Sequence, residues 1–212
     1  STSLRAQPRV STAARRGAGR SDTPYSVCEA GRRSLRRSAA GHRNRVHVVG
    51  IAVRRARTPD VRTIKQLVDH YAGKVLLAKE IITLYESVQE FFVAEVDGEV
   101  VGCGALHVRW EALGEVRPVA VRPDMAGRGI GHAIVSALID QARELGLQRL
   151  FVLTFEKQFF SRHGFEEIDG TPVEPDVFAA MLRSYDAGVA EFLDLAHVKP
   201  NTLGNVRMLL HL

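Results

Sequence analysis

The chain has 212 residues, 45% of them hydrophobic and 25% charged, enough for one globular domain around a buried core. No apolar run approaches the roughly 18 residues of a membrane-spanning helix, so no membrane association is expected. The two cysteines, Cys28 and Cys103, suggest no disulfide framework, which fits a reducing, cytoplasmic setting. The net charge of +5 is unevenly placed. Eleven arginines against two acids give residues 1–45 a charge of +9; the remaining 167 residues, with 18 basic and 22 acidic side chains, carry −4. A mildly acidic folded part removes most of the case for a nucleic-acid-binding domain.

Two regions follow from composition. Residues 1–45 are rich in Arg, Ser, Ala and Gly and have no hydrophobic period; such a segment cannot offset its ordering entropy and is expected to be a disordered tail. Its composition resembles a transit peptide. An upstream extension or an over-called start is the preferred reading, and an arm that neutralises nucleic-acid phosphates ranks last. Residues 46–212 are expected to form the folded domain.

Within that domain, 46–57 alternates as a strand. Thr58-Pro59-Asp60 supplies an N-cap, a proline at the first helical position and an early acid, and Val61, Ile64, Leu67, Val68 and Tyr71 follow at helical spacing. Ile81, Ile82, Tyr85 and Val88 mark a second helix. Strands over 91–96 and 100–108 flank the turn Asp97-Gly98 as a hairpin. A strand over 115–121 leads through a glycine-rich turn to a helix carrying Ile134, Leu138, Ile139 and Ala142, which ends near Gly146. Next come a strand over 149–154, a short helix over 157–163 stopped at Gly164, and a strand over 165–168. One or two helices between Val177 and Leu195, and a final strand over 207–212, complete the chain. The order predicts a mixed α/β fold, a central sheet flanked by helices.

The stretch that carries chemistry runs from Val119-Ala120-Val121-Arg122-Pro123 to Gly127-Arg128-Gly129-Ile130-Gly131-His132. Glycine permits positive φ and lets backbone N–H groups approach a ligand. A helix start adds partial positive charge, which suits a phosphate or pyrophosphate. A tight strand-to-helix connection would use the same glycines for packing alone. The spacing is neither a Rossmann fingerprint nor a P-loop.

Arg122-Pro123-x-x-x-Gly127-Arg128-Gly129-Ile130-Gly131 resembles the acetyl-CoA pyrophosphate loop of GNAT N-acetyltransferases, and Phe160-Ser161-Arg162-His163-Gly164-Phe165 resembles that family's aromatic-x-x-x-Gly-Phe element. Within the family, the runs 101–107, 114–121 and 150–154 are most similar to the acetyltransferase domain of bacterial N-acetylglutamate synthases. The run Lys199-Pro200-Asn201-Thr202-Leu203-Gly204-Asn205-Val206-Arg207 resembles their stand-alone short form, without the amino-acid-kinase-like domain. The resemblance covers roughly residues 48–212. It implies the GNAT acyltransferase fold and acetyl-CoA as cosubstrate. The implied reaction is acetyl transfer to the α-amino group of L-glutamate, or of L-glutamine, as the first step of arginine biosynthesis. The fold is widely reused, so acetylation of another small amine or a protein, or a silent acyl-CoA-binding module, stand as alternatives. A homodimer is also left open.

Residue roles follow from the same resemblance. Glu115 matches the glutamate expected to act as base, directly or through water; a surface ion pair with Arg117 is the bland alternative. The amides near Val119 and Val121 are expected to carry the thioester carbonyl and pantetheine arm, with Ala120 between them in the cofactor site. Gly127, Arg128, Gly129, Ile130, Gly131 and His132 are expected at the pyrophosphate, with Phe160 and Arg162 completing the cofactor site. Many family members have a tyrosine acid where this chain has Phe160, so the acid is a hydroxyl such as Thr154 or Ser161, a water, or not needed for a thiolate leaving group. Lys79, Arg117, Asn205 and Arg207 are expected to bind the acceptor, arginine being suited to bidentate carboxylate contacts. The eight histidines show no metal-ligand spacing, and no metal is expected.

Overall fold

The computed structural model describes residues 47–48, 50–72, 79–184, 189–190, 193 and 204–212. The expected tail over 1–45 and the run 199–203 lie outside them. The described strands are β1 (His47–Val48), β2 (Ile51–Arg55), β3 (Phe91–Val96), β4 (Glu99–Trp110), β5 (Leu113–Val121), β6 (Arg149–Thr154), β7 (Glu166–Glu167) and β8 (Val206–His211). They form one sheet in the order β1-β2-β3-β4-β5-β6-β8-β7. Neighbours are antiparallel except β5 and β6, which run parallel. The helices are α1 (Val61–Tyr71), α2 (Ile81–Glu86), α3 (Ile130–Glu144), α4 (Lys157–Ser161) and α5 (Pro175–Met181).

The expected single strand over 46–57 is instead the antiparallel pair β1 and β2, with the chain reversing at Gly50. The expected Thr58 cap is also corrected. Residues Thr58–Asp60 form a 3-10 turn, and the Asp60 carboxylate accepts the Arg57 N–H at 2.7 Å. Asp60 wins that position because it simultaneously holds the Arg54 guanidinium through two hydrogen bonds of 2.7 and 3.0 Å. The strand expected over 165–168 shortens to Glu166–Glu167. Of the helical region expected after Val177, the structure describes α5 and the helical pair Val189 and Ala190.

α3 packs across one face of the sheet, where Ile134 and Leu138 are completely buried. Burying each such side chain contributes about 2 kcal/mol. The helix sits close because β4 presents glycines there. A Cβ at Gly102 would stand 2.9 Å from Ile134 Cδ1, and one at Gly104 2.6 Å from Ile134 Cγ2. The opposite face is covered in two places. α1 and α2 pack on Phe91, Val93, Cys103, Ala105 and Ala120. Met181 of α5, with Val189 and Leu193, packs on Leu113, Phe151 and Leu209. Between these two apolar layers lies a polar strip.

Candidate active site

β5 and β6 part company half-way along. They pair only at Leu113, Gly114 and Glu115, opposite Arg149, Leu150 and Phe151. The cause lies on the other edge of β5, where Gly104 faces Val119 and Leu106 faces Val116, so Arg117 and Pro118 together oppose Ala105 alone. An extra residue in one strand bends it and increases its twist, and Pro118 has no N–H to give to a ladder. The extra residue also resets the alternation. Glu115 and Arg117 point away from α3, yet Val119 and Val121 pack on the α3 side while Ala120 packs on the α1 side.

A cleft of about 640 Å³ opens in this fork, walled by β5 from Val116 to Val121 and by β6 from Val152 to Thr154. Arg122 N–H bonds Val101 C=O at 2.8 Å, and Cys103 faces Ala120. By the antiparallel alternation, the N–H groups of Val119 and Val121 therefore turn into the cleft, whereas Ala120's amide turns toward Cys103. Ala120 lines the cleft without presenting its N–H. The Val121 carbonyl on the same edge accepts the Tyr71 hydroxyl at 2.7 Å, placing the end of α1 at the cleft wall. Burial raises the Tyr71 phenol above its ordinary range. Burial also pushes the Cys103 thiol up to about 12, so it stays protonated behind β5.

The floor of the cleft is the turn into α3. Gly127 and Gly129 hold φ of 76° and 82°, and Gly129 is the N-cap residue of the helix. A Cβ at either would meet nothing within 4 Å, so these glycines answer to backbone conformation and not to protein packing. Gly131 lies under the Phe159 ring, and His132 tilts against the same ring with centroids 4.6 Å apart. His132 Nδ1 and His163 Nε2 are 2.8 Å apart. Burial, and then the neighbouring His132, lower the His163 imidazole below its ordinary value. Phe160 and Arg162 line the far wall. Phe160 is 5% exposed and packs edge-on to Phe165. Ile130 also borders the cleft, but its side chain is buried in the α3 core. Arg128, between two glycines of positive φ, is exposed and outside the cleft lining.

Thr154, at the end of β6, lines the cleft and accepts the Glu156 N–H at 2.9 Å, which leaves its own hydroxyl proton to donate. Arg117 also lines the cleft and reaches over to the polar strip, where its Nε lies 3.6 Å from Glu115 Oε1. Glu115 is 1% exposed and does not itself border the cleft. Its Oε2 accepts Arg109 Nε at 2.7 Å. Across β4, His107 stands directly opposite Glu115, and His107 Nδ1 is 2.5 Å from Glu90 Oε2. Phe151 stands opposite Glu115 on β6, and the Arg207 guanidinium lies 5.7 Å from the Phe151 ring centre. Sequence reasoning missed Glu90, His107 and Arg109, which carry no motif of their own. The i, i+2 spacing of His107 and Arg109 on a strand paired with Glu115 was the available signal.

Asn205 precedes β8, and its enclosed Oδ1 has no hydrogen-bond partner among the described residues. Lys79 is half-buried just before α2 and outside the cleft lining. The structure thus gathers Glu115, Arg117 and Arg207 on one face. It does not bring Lys79 to the cleft.

Residues 62–167 match the model of the acetyltransferase (GNAT) family. A curated amino-acid acetyltransferase of Mycobacterium tuberculosis is 69% identical over 161 residues, which span 74% of this chain and 92% of that protein. The chain belongs to the GNAT acetyltransferase family. A crystal structure from Mycobacterium tuberculosis, in complex with CoA and NLQ, matches 76% of this chain and 98% of that one with a TM-score of 0.75 at 69% identity. The N-acetylglutamate synthase of Neisseria gonorrhoeae, complexed with coenzyme A and N-acetyl-glutamate, shares the fold. Its TM-score is 0.62 at 22% identity, over 78% of this chain and 36% of that one. For a GNAT domain the forked strands, inward-turned amides and glycine floor suit a long, phosphorylated thiol ester such as acetyl-CoA. Its pantetheine would lie along Val119 and Val121, and its pyrophosphate at Gly127 to Gly131.

Proposed function

We propose that this GNAT enzyme acetylates the α-amino group of L-glutamate, with L-glutamine as the neighbouring alternative, and so opens arginine biosynthesis. The observation that carries this reading is the polar strip beside the fork. Arg109, Arg117 and Arg207 share one face with the buried carboxylate of Glu115. Planar guanidiniums on that face suit bidentate contacts with the carboxylates of an amino-acid acceptor. The likeness to an amino-acid acetyltransferase at 69% identity supports an amino-acid acceptor.

Acetyl-CoA supplies an activated acetyl group; the chain's residues handle position and protons. The N–H groups of Val119 and Val121 hold the cosubstrate's arm and offer donors to a carbonyl oxygen gaining negative charge. Arg117, at the junction of cleft and strip, draws an acceptor carboxylate toward the fork, and Arg207 takes the second. Glu115 attracts the acceptor's ammonium and takes its proton. Thr154 offers its hydroxyl proton at the cleft wall, in place of the tyrosine that Phe160 displaces.

The test is release of free thiol from acetyl-CoA with glutamate, glutamine, ornithine and spermidine in parallel. Turnover confined to glutamate or glutamine is expected, with kcat/KM at least about tenfold above ornithine, a gap of 1.4 kcal/mol. Turnover only with amines lacking an α-carboxylate would refute the reading while leaving the family unaffected.

A further inference from the structure

His132 borders the cleft in the first turn of α3, and its Nδ1 stands 2.8 Å from Nε2 of His163, just past α4. The Phe159 ring lies against both imidazoles, with centroids 4.6 and 5.6 Å away. At that separation the two facing nitrogens hold one proton between them, since two lone pairs or two N–H groups would repel. Whichever ring donates it, a neutral pair leaves one outer nitrogen, His132 Nε2 or His163 Nδ1, as a bare lone pair. One added proton fills that place and keeps the bridge, so His132 Nε2 then carries N–H in either arrangement. A second added proton would break the bridge. The pair therefore has room for a single proton.

Among the described residues, the charged side chains lining the cleft are Arg117, Glu156 and Arg162. Arg117 lies beside Glu115 in the polar strip, and Glu156 offsets Arg162. Arg128 is exposed and outside the lining. A pyrophosphate at the glycine turn thus brings negative charge that these side chains do not balance. The neighbouring elements bring other titratable groups. Lys157 of α4 pairs with Glu167 of β7, beside Glu166, and Asp124 ahead of the turn pairs with Arg122. β8, whose Leu210 lies beside Gly164, carries Arg207 and His211. Asp140, Arg143 and Glu144 stand about two turns or more along α3, and the Tyr71 hydroxyl is bonded to Val121 C=O. Burial, and then His132, lower His163, so its ring is neutral near neutral pH.

We propose that the His132–His163 pair takes one proton from solvent when acetyl-CoA binds, and shares it as the counter-charge to the pyrophosphate. This deepens the reading of the cleft as the acetyl-CoA site and rests on the pyrophosphate lying at Gly127 to Gly131. His132 meets the ligand. His163 is a positioning residue, holding Nδ1 of His132 and spreading the charge over two rings. An opposite charge within roughly 4–6 Å favours the protonated pair, so the bound pair holds its proton more tightly than the free one. This part of the affinity is fully present at low pH, where both states are protonated, and is lost as pH rises through the bound-state value.

The test uses dephospho-coenzyme A, which keeps the pyrophosphate and lacks the 3′-phosphate, a group that itself titrates at about pH 6. Titration calorimetry at about pH 6.5, in buffers of different ionisation enthalpy, counts the protons taken up. The wild type is expected to take up on the order of half a proton, and its Kd to rise about three- to tenfold from about pH 6 to about pH 8. His132→Asn keeps an amide beside His163 and removes Nε2; its uptake should vanish and its Kd lose the slope. His163→Leu should reduce the uptake, and His163→Gln, whose amide oxygen accepts from Nδ1, should restore part of it, which a packing role would not do. Binding by the wild type with no proton uptake would overturn the proposal, as would wild-type uptake in a folded His132→Asn. If that variant does not fold, the wild-type count decides. Gly129→Ala keeps the two ideas apart. Unchanged affinity there would refute the pyrophosphate's placement, whereas weakened binding beside a wild type without uptake would refute the shared proton alone.

Discussion

Replacing Gly129 by alanine separates the glycine turn's role in ligand binding from any role in packing. The residue sits at φ 82°, ψ 0° at the N-cap of α3. An added Cβ meets no atom within 4 Å, so steric overlap within the protein contributes nothing. Holding alanine in the left-handed region costs about 1–2 kcal/mol, and the stiffer unfolded chain offsets roughly 0.4–1 kcal/mol of that. A net loss near 1 kcal/mol corresponds to a Tm drop of about 2–4 °C for a chain of this size. Binding should suffer more. On the proposed placement of the pyrophosphate, the methyl group would come between it and the turn's N–H groups, and one lost charge-assisted hydrogen bond is worth about 1.5–3 kcal/mol. Acetyl-CoA Kd, measured by titration calorimetry, should therefore rise by roughly 10- to 100-fold. A Kd within threefold of wild type, with the small Tm shift present, would refute the placement of the pyrophosphate at this turn.

Gly104→Ala should do the reverse. Its Cβ would lie 2.6 Å from Ile134 Cγ2 and 3.1 Å from Leu138 Cδ1, so overpacking should lower stability by about 1–3 kcal/mol in denaturant unfolding. Asp60→Asn breaks the partly buried pair with Arg54 and should cost about 2 kcal/mol by the same measurement. The Arg54 hydrogen bonds hold the Asp60 carboxyl below its ordinary value of 3.8. The wild-type pair therefore contributes fully above that value and is lost as pH falls through the lower folded one. Burial and His132 lower His163 below 6.5 in the folded state, so the unfolded chain takes up that proton first. Wild-type stability should fall as pH drops below 6.5, and His163→Gln should flatten that part of a Tm–pH curve.

Local features were legible because they depend on neighbours in the chain. The β3–β4 turn fell at Asp97-Gly98 as expected, with φ of 53° and 82°. The strand Arg149–Thr154 and the glycine turn ahead of α3 were likewise readable from patterning alone. The strand, glycines and helix start proposed for the cofactor are contiguous, so their local shape was readable for the same reason.

The acceptor side was not legible. Glu115 was picked out by resemblance and its pairing with Arg117 was weighed, but the Arg109 contact and the Glu90–His107 pair opposite arise from the register of two strands and a turn. The decisive local event is the extra residue at Arg117-Pro118. It turns Val119 and Val121 toward α3 and ends the pairing of β5 with β6. A bulge of one residue changes no composition and leaves the hydrophobic pattern ambiguous, since both faces of β5 are buried. The sequence therefore determined the chain's fold class and the glycine turn ahead of α3. Only the packed sheet decided which side chains share a face with Glu115, because strand register is set by long-range pairing.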